Sequence, residues 1–145
     1  MVIREVSVRI ESVIQSLGES GLAEGKAERS SLQAVGYYHF ENEKKVLITY
    51  AEDTEGGRLT SELFVEGDSV RVKKQGAVVS DMLIKAGFTD RSVYSVPPYR
   101  FDIVIEGLRV KSALDSSGGE IMLKYKMNIG GESRLSVMKI WLCST

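Results

Sequence analysis

Cysteine, proline and histidine are all scarce in this 145-residue chain, and each shortage removes a class of protein. The one cysteine, Cys143, has no partner within the chain, so an internal disulfide is excluded. A reducing, cytoplasmic setting is the expectation. One histidine and one cysteine fall short of the several nitrogen and sulfur ligands that a zinc site requires, so no metal and no cofactor is expected. The two prolines are adjacent, Pro97 and Pro98, which leaves nearly all of the chain free to donate backbone hydrogen bonds. No run approaches the roughly 20 apolar residues of a membrane helix. The first residues, Met1 to Val6, mix Arg4 and Glu5 into their apolar run and do not read as a secretion signal. A net charge of -1 gives no global pull toward nucleic acid or an anionic membrane.

What is present is alternation. Val6, Val8, Ile10 and Ile14 share one parity, and Glu5, Ser7, Arg9 and Glu11 take the other. Ile121, Leu123, Tyr125, Met127 and Ile129 alternate in the same way with Glu120, Lys124, Lys126 and Asn128. Period two with one apolar parity is the mark of a half-buried strand. Similar runs cover residues 32–41, 45–53, 58–66, 69–75, 78–85, 91–96, 99–114 and 134–142, about ten strands in all. Between them stand short glycine-bearing turns such as Glu55-Gly56-Gly57, Glu66-Gly67-Asp68 and Gly130-Gly131. Connections this short leave no room for the crossover of a parallel pair. The expected fold is therefore all-β: one domain over residues 1–145, an antiparallel up-and-down meander of about eight to ten strands. Closing it into a barrel removes its exposed edges. One connection departs from the pattern. Residues 18–31 are long, polar and interrupted by Gly18, Gly21 and Gly25, and read as a mobile loop with at most one helical turn.

Candidate chemistry is thin. His39, in Tyr37-Tyr38-His39-Phe40, has no visible orienting acid and reads as structural. Cys143 has no activating neighbour. Glu52, Asp53 and Glu55 lack the spacing of a calcium loop and read as a solubilised hairpin tip. Arg71, Lys73 and Lys74 read as a solvated strand face. Enzymatic activity is not the expectation. Val46-Leu47-Ile48 and Ile103-Val104-Ile105 are apolar on both parities, so something must cover their second face, and a homodimer would do so.

The middle of the chain is distinctive. Thr49-Tyr50-Ala51-Glu52-Asp53-Thr54-Glu55-Gly56-Gly57 is followed by Val65-Glu66-Gly67-Asp68 and Val70-Arg71-Val72-Lys73-Lys74. Gly76-Ala77-Val78-Val79-Ser80-Asp81-Met82, Arg91-Ser92-Val93-Tyr94-Ser95, Phe101-Asp102 and Gly118-Gly119-Glu120-Ile121 come next. This order of motifs resembles the YwiB-like family of uncharacterised bacterial proteins across nearly the whole chain. The resemblance implies a lipocalin-like (calycin-type) β-barrel and carries no activity with it. The chain departs from the family pattern at Gln75, Ile84, Val96 and Gly107, where Arg, Phe, Thr-Pro and Thr are favoured.

A barrel of this size either packs solid or holds one small ligand. The leading expectation is a non-enzymatic binding module for an apolar or amphiphilic small molecule. Its candidate lining is Tyr38, Phe40, Thr49, Met82, Tyr94 and Phe101, with Arg91 or Arg100 as an anion partner and residues 18–31 bordering the mouth as a lid. The alternative is a structural or interaction protein, with a filled barrel that dimerises or docks a protein partner. Neither nucleic acid nor a membrane is an expected partner.

Overall fold

The alternation becomes ten antiparallel strands in the computed structural model, which describes residues 1–145. They are β1 (Val2–Leu17), β2 (Ala23–Asn42), β3 (Lys45–Thr54), β4 (Gly57–Glu66), β5 (Ser69–Gly76), β6 (Ser80–Lys85), β7 (Thr89–Val96), β8 (Tyr99–Asp115), β9 (Gly118–Ile129) and β10 (Glu132–Ser144). One sheet holds them all in the order β6-β5-β4-β3-β2-β1-β10-β9-β8-β7. Each strand pairs with its chain neighbour, and the two chain ends meet through β1 and β10. The result is an all-β, up-and-down, nearly closed barrel. No helix is long and apolar enough to cross a membrane.

Parity decides what lies inside. Val6, Val8, Tyr38, Val46, Ile48, Leu63, Val65, Val70, Ile84, Ile103, Ile105, Leu123 and Ile140 are almost wholly buried and form one core. Partners across an antiparallel ladder share a face, so burial of one residue assigns its opposite number. Where β8 changes register between Gly107 and Arg109, the inward parity switches from odd to even, and Leu114 rather than Ala113 is buried.

The barrel closes imperfectly between β6 and β7. One backbone bridge, Val79 to Ser95, joins the two strands near the β5–β6 turn. Further along, side chains replace the ladder. The Leu83 amide donates to the Asp90 carboxylate at 2.9 Å, and the Ser92 hydroxyl donates to the Asp81 carbonyl at 2.7 Å. At the far end the Gly87 amide donates to the Gly107 carbonyl and the Gly107 amide to the Phe88 carbonyl. A β-carbon on Gly107 would collide with the Lys85 backbone, so the seam requires glycine at this position.

The topology gives the barrel two unlike ends. The β1–β2, β3–β4, β5–β6, β7–β8 and β9–β10 turns gather at the upper end. The other four turns and both termini lie at the lower one. Residues 18–31, expected as a mobile loop, are instead mostly strand. Only a short turn separates Leu17 from Ala23, and β2 pairs β1 over Ala23, Glu24 and residues 28–40. The side chains of residues 23–31 are exposed on both faces, so they carry no period, and backbone pairing alone makes the strand.

Candidate functional site

The eight candidate lining residues do not form one group. Tyr38 and Phe40 point inward at the lower end, where their rings stack with centroids 6.1 Å apart. The Tyr38 hydroxyl donates to the Asp115 carbonyl at 2.8 Å. Burial, and then the Asp115 charge, push this phenol up to about 12. The pair plugs the lower half. Met82 is buried on the inner face of β6, and Tyr94 faces inward, half-buried, on β7. Phe101, its ladder partner, shares that face at the exposed rim.

Three of the eight face outward. Thr49 pairs with Tyr37 and Glu62 between the buried Ile48 and Tyr50, so its parity is the outer one. Arg91 pairs with Val104, and Arg100 with Ser95; both are exposed and on the outer parity. Neither arginine serves as an internal anion partner. His39 also faces outward, between Ile3 and Leu47. No three His, Cys, Asp or Glu side chains gather in a metal-holding arrangement.

A different set of residues converges in the upper half. One continuous ladder row crosses the wall: Gly36 opposite Tyr50, Tyr50 opposite Ser61, Ser61 opposite Lys74, and Lys74 opposite Ser80. Because Tyr50, Ser61 and Ser80 are buried, the whole row faces inward, and Lys74 goes in with it. Across the seam, the Val79–Ser95 bridge brings Tyr94 alongside Ser80. Tyr125 and Ser136, ladder partners on β9 and β10, are buried on the same inner surface at this end.

This row is short of partners. The Ser61 and Ser80 hydroxyls are buried and make no hydrogen bond within the protein. The Ser61 hydroxyl lies beside the Tyr50 phenol and partly offsets the effect of burial on it, although the two fall outside normal hydrogen-bond geometry. Lys74 makes no ion pair. Burial pushes its ammonium below the usual lysine range, and Glu52 pulls the other way. Burial also raises the phenols of Tyr50, Tyr94 and Tyr125. A buried hydroxyl without a partner costs about 1–3 kcal/mol, so two beside a half-buried cation call for a partner.

A hollow of about 260 Å³ opens onto Tyr50 and Lys74 of this row, with Ser61 and Ser80 outside its lining. Ile10, Leu32, Leu63, Val72 and Met138 form its apolar lining; Ser12, Ser30, Ser31, Tyr50, Glu52 and Lys74 form its polar one. Access comes through a breach in the wall. β2 pairs with β3 only from Gly36 onward, and above that point residues 23–35 of β2 have β1 alone beside them. A side chain at Gly36 would strike the Thr49 carbonyl, so the backbones are in close approach where the two strands part. Ser30, Ser31 and Leu32 form one lip of the breach; Tyr50 and Glu52 form the other. A larger hollow of about 790 Å³ includes inward Ser112 and Ile121 together with outward Lys111, Met122 and Trp141. Side chains from both faces of one sheet cannot enclose a chamber, so this is an open saddle on the outer surface.

The lysine was concealed within Arg71-Val72-Lys73-Lys74, where a basic run imitates a solvated face. The parity of buried Val70 and Val72 is the signal that places Lys74 inside.

Comparison with known proteins agrees with the barrel. Residues 13–140 match the family described as "Domain of unknown function (DUF1934)". The uncharacterized β-barrel protein YwiB of Bacillus subtilis (strain 168) is 23% identical over 127 residues, covering 88% of this chain and 84% of that protein. The crystal structure of the B. subtilis ywiB protein superposes with a TM-score of 0.84 at 22% identity, over 99% of this chain and 93% of the other. At that identity the likeness speaks for the fold. The family match spans most of the chain, which therefore belongs to the DUF1934 family.

Proposed function

We propose that this DUF1934 barrel is a non-enzymatic binding protein that holds one small amphiphilic molecule in its upper half, in the manner of lipocalin-like barrels. The observation that carries the reading is the 260 Å³ hollow, whose lining joins apolar Ile10, Leu32, Leu63, Val72 and Met138 to the Tyr50 hydroxyl and to Lys74, a lysine with no ion pair. Ligand sites are typically concave, mostly apolar and set with a few converging polar groups. The hollow is slightly below the usual range of about 300–1,000 Å³, so its occupant is a compact metabolite rather than a long lipid. Glu52 and Lys74 stand at unequal depths with no acceptor or nucleophile arranged between them, which favours binding over catalysis. The free, exposed Cys143 is consistent with a cytoplasmic location.

The test is native mass spectrometry of the protein purified from its own host, followed by gentle collisional release. The expected result is a protein mass plus one small adduct that is lost on activation. A bare protein at every activation energy, with no stabilisation by a metabolite library, would overturn the reading.

A second reading rests on a different surface. Ile3, His39, Leu47 and Phe64 form an outward ladder row across four strands, beside exposed Tyr37. Contiguous apolar surface on a barrel wall suits an interface with a second copy. Sedimentation equilibrium tests it: Leu47→Lys converts a dimer to monomer on this reading, and a wild-type monomer at all concentrations sinks it.

A further inference from the structure

We propose that the ligand of the upper hollow is a small monocarboxylic acid with a short apolar tail, its carboxylate seated on the Lys74 ammonium and the Tyr50 hydroxyl. This rests on the hollow being a ligand site.

The charge follows from the lining. Lys74 is the only cation among the residues that line the hollow; Glu52, the one carboxylate there, acts on it through its charge but stands beyond ion-pair distance. A cation taken out of water without a partner is costly, and a ligand anion is the partner it lacks. Two features limit that anion to one charge. A single ammonium can contact a single charge, and Glu52 on the lip opposes an anion more strongly the higher its charge.

The head-group geometry follows from the row. Tyr50, Ser61, Lys74 and Ser80 stand on four successive strands in one ladder register. Of these, Tyr50 and Lys74 line the hollow; both donate toward an anion, and a carboxylate carries about four acceptor sites to receive them.

The tail follows from the apolar part of the lining. Ile10, Leu32, Leu63, Val72 and Met138 offer apolar contact without polar atoms. The depth is limited because Ile48, Ile84 and the Tyr38–Phe40 stack fill the barrel below.

The experiment is an amide NMR titration of the full chain with hexanoate, 1-hexanol, hexylamine and hexyl phosphate. Hexanoate is expected to bind at least tenfold more tightly than 1-hexanol, with hexylamine weakest, and to shift the amides flanking Ser61, Lys74 and Ser80. Lys74→Met should weaken hexanoate at least tenfold and leave 1-hexanol unchanged; Lys74→Arg, which keeps the charge, should retain the preference for the acid and guards against a folding defect in the first variant. Equal binding of acid and alcohol, or equal loss of both in Lys74→Met, overturns the carboxylate assignment and leaves the binding reading standing. Tightest binding by hexyl phosphate overturns the single-charge assignment. Silence for every probe, with a bare protein in native mass spectrometry, overturns both readings.

Discussion

The lower and upper halves of the barrel use the same strands and treat polar atoms in opposite ways. Below, Val6, Val46, Ile48, Val65, Val70 and Ile84 are buried side by side, and the one phenol among them, Tyr38, is given a carbonyl acceptor. Above, Tyr50, Ser61, Lys74 and Ser80 are packed into the wall with no ion pair for the lysine and no partner for either serine. A lower half built this way is the part that keeps the barrel folded. The upper half gives up stability, and a site whose groups are completed by something from outside is a physical reason to keep it.

Substitution in the lower half should do the most damage. Ile48→Ala removes a fully buried side chain at the centre of the core. It should cost about 3 kcal/mol, within the roughly 2–5 kcal/mol usual for such a truncation. Urea unfolding measures it; a loss below about 1 kcal/mol would mean the lower half is not the tightly packed one.

The seam between β6 and β7 ranks next. Asp90→Ala leaves the Leu83 amide without its carboxylate acceptor. The cost should be about 2 kcal/mol, as for bonds to charged groups. Asp90→Asn keeps an oxygen acceptor and should recover most of it. Amide exchange at Leu83 reads the local effect: fast exchange in the alanine variant and slow in the asparagine variant. Equal exchange in both would show that the seam is held some other way.

Alkaline pH probes both halves together. Tyr38, Tyr50, Tyr94 and Tyr125 all have phenols raised by burial, Tyr38 to about 12 from an ordinary 10.0. A raised folded value means the native state favours the neutral phenol. The stability this represents is complete below about pH 10 and is lost as pH rises through the raised values. The urea midpoint should therefore fall between about pH 10 and 12, and Tyr38→Phe should shallow that fall, at a cost near 1 kcal/mol at neutral pH for the lost bond. An unchanged alkaline slope in Tyr38→Phe would remove the lower phenol from the account.

How much of this was readable in the sequence depends on what carried the signal. Strand positions were legible because apolar alternation and glycine turns each report on them, and the two agree from Lys45 to Leu142. β2 above Leu32 was not, because a strand with both faces wet has no side-chain period. The candidate site fared worse for a different reason. Thr49, Arg91 and Arg100 were chosen for their chemistry, and each sits one residue out of step with the buried parity. Lys74 was set aside for its chemistry and is in step. In a barrel, parity outranks residue type: a lysine on the inner face goes in, and an arginine on the outer face stays out.

The smallest effect bears most directly on the contrast between the halves. Ser61→Ala and Ser80→Ala each delete a buried hydroxyl that has no partner in the protein. If the upper half is empty when the protein is isolated, removing an unsatisfied polar atom should stabilise the fold by up to about 1 kcal/mol, since a buried polar group without a bond is a net cost. If a retained ligand accepts those hydroxyls, the sign reverses, and each change should destabilise by a similar amount. Thermal unfolding of both variants, before and after stripping the protein by unfolding and refolding, separates the cases. A serine pair that is destabilising as purified and stabilising after stripping is the signature of a site completed from outside. A pair that is destabilising under both conditions would mean that the upper half satisfies its own polar atoms, and the difference between the two ends would disappear.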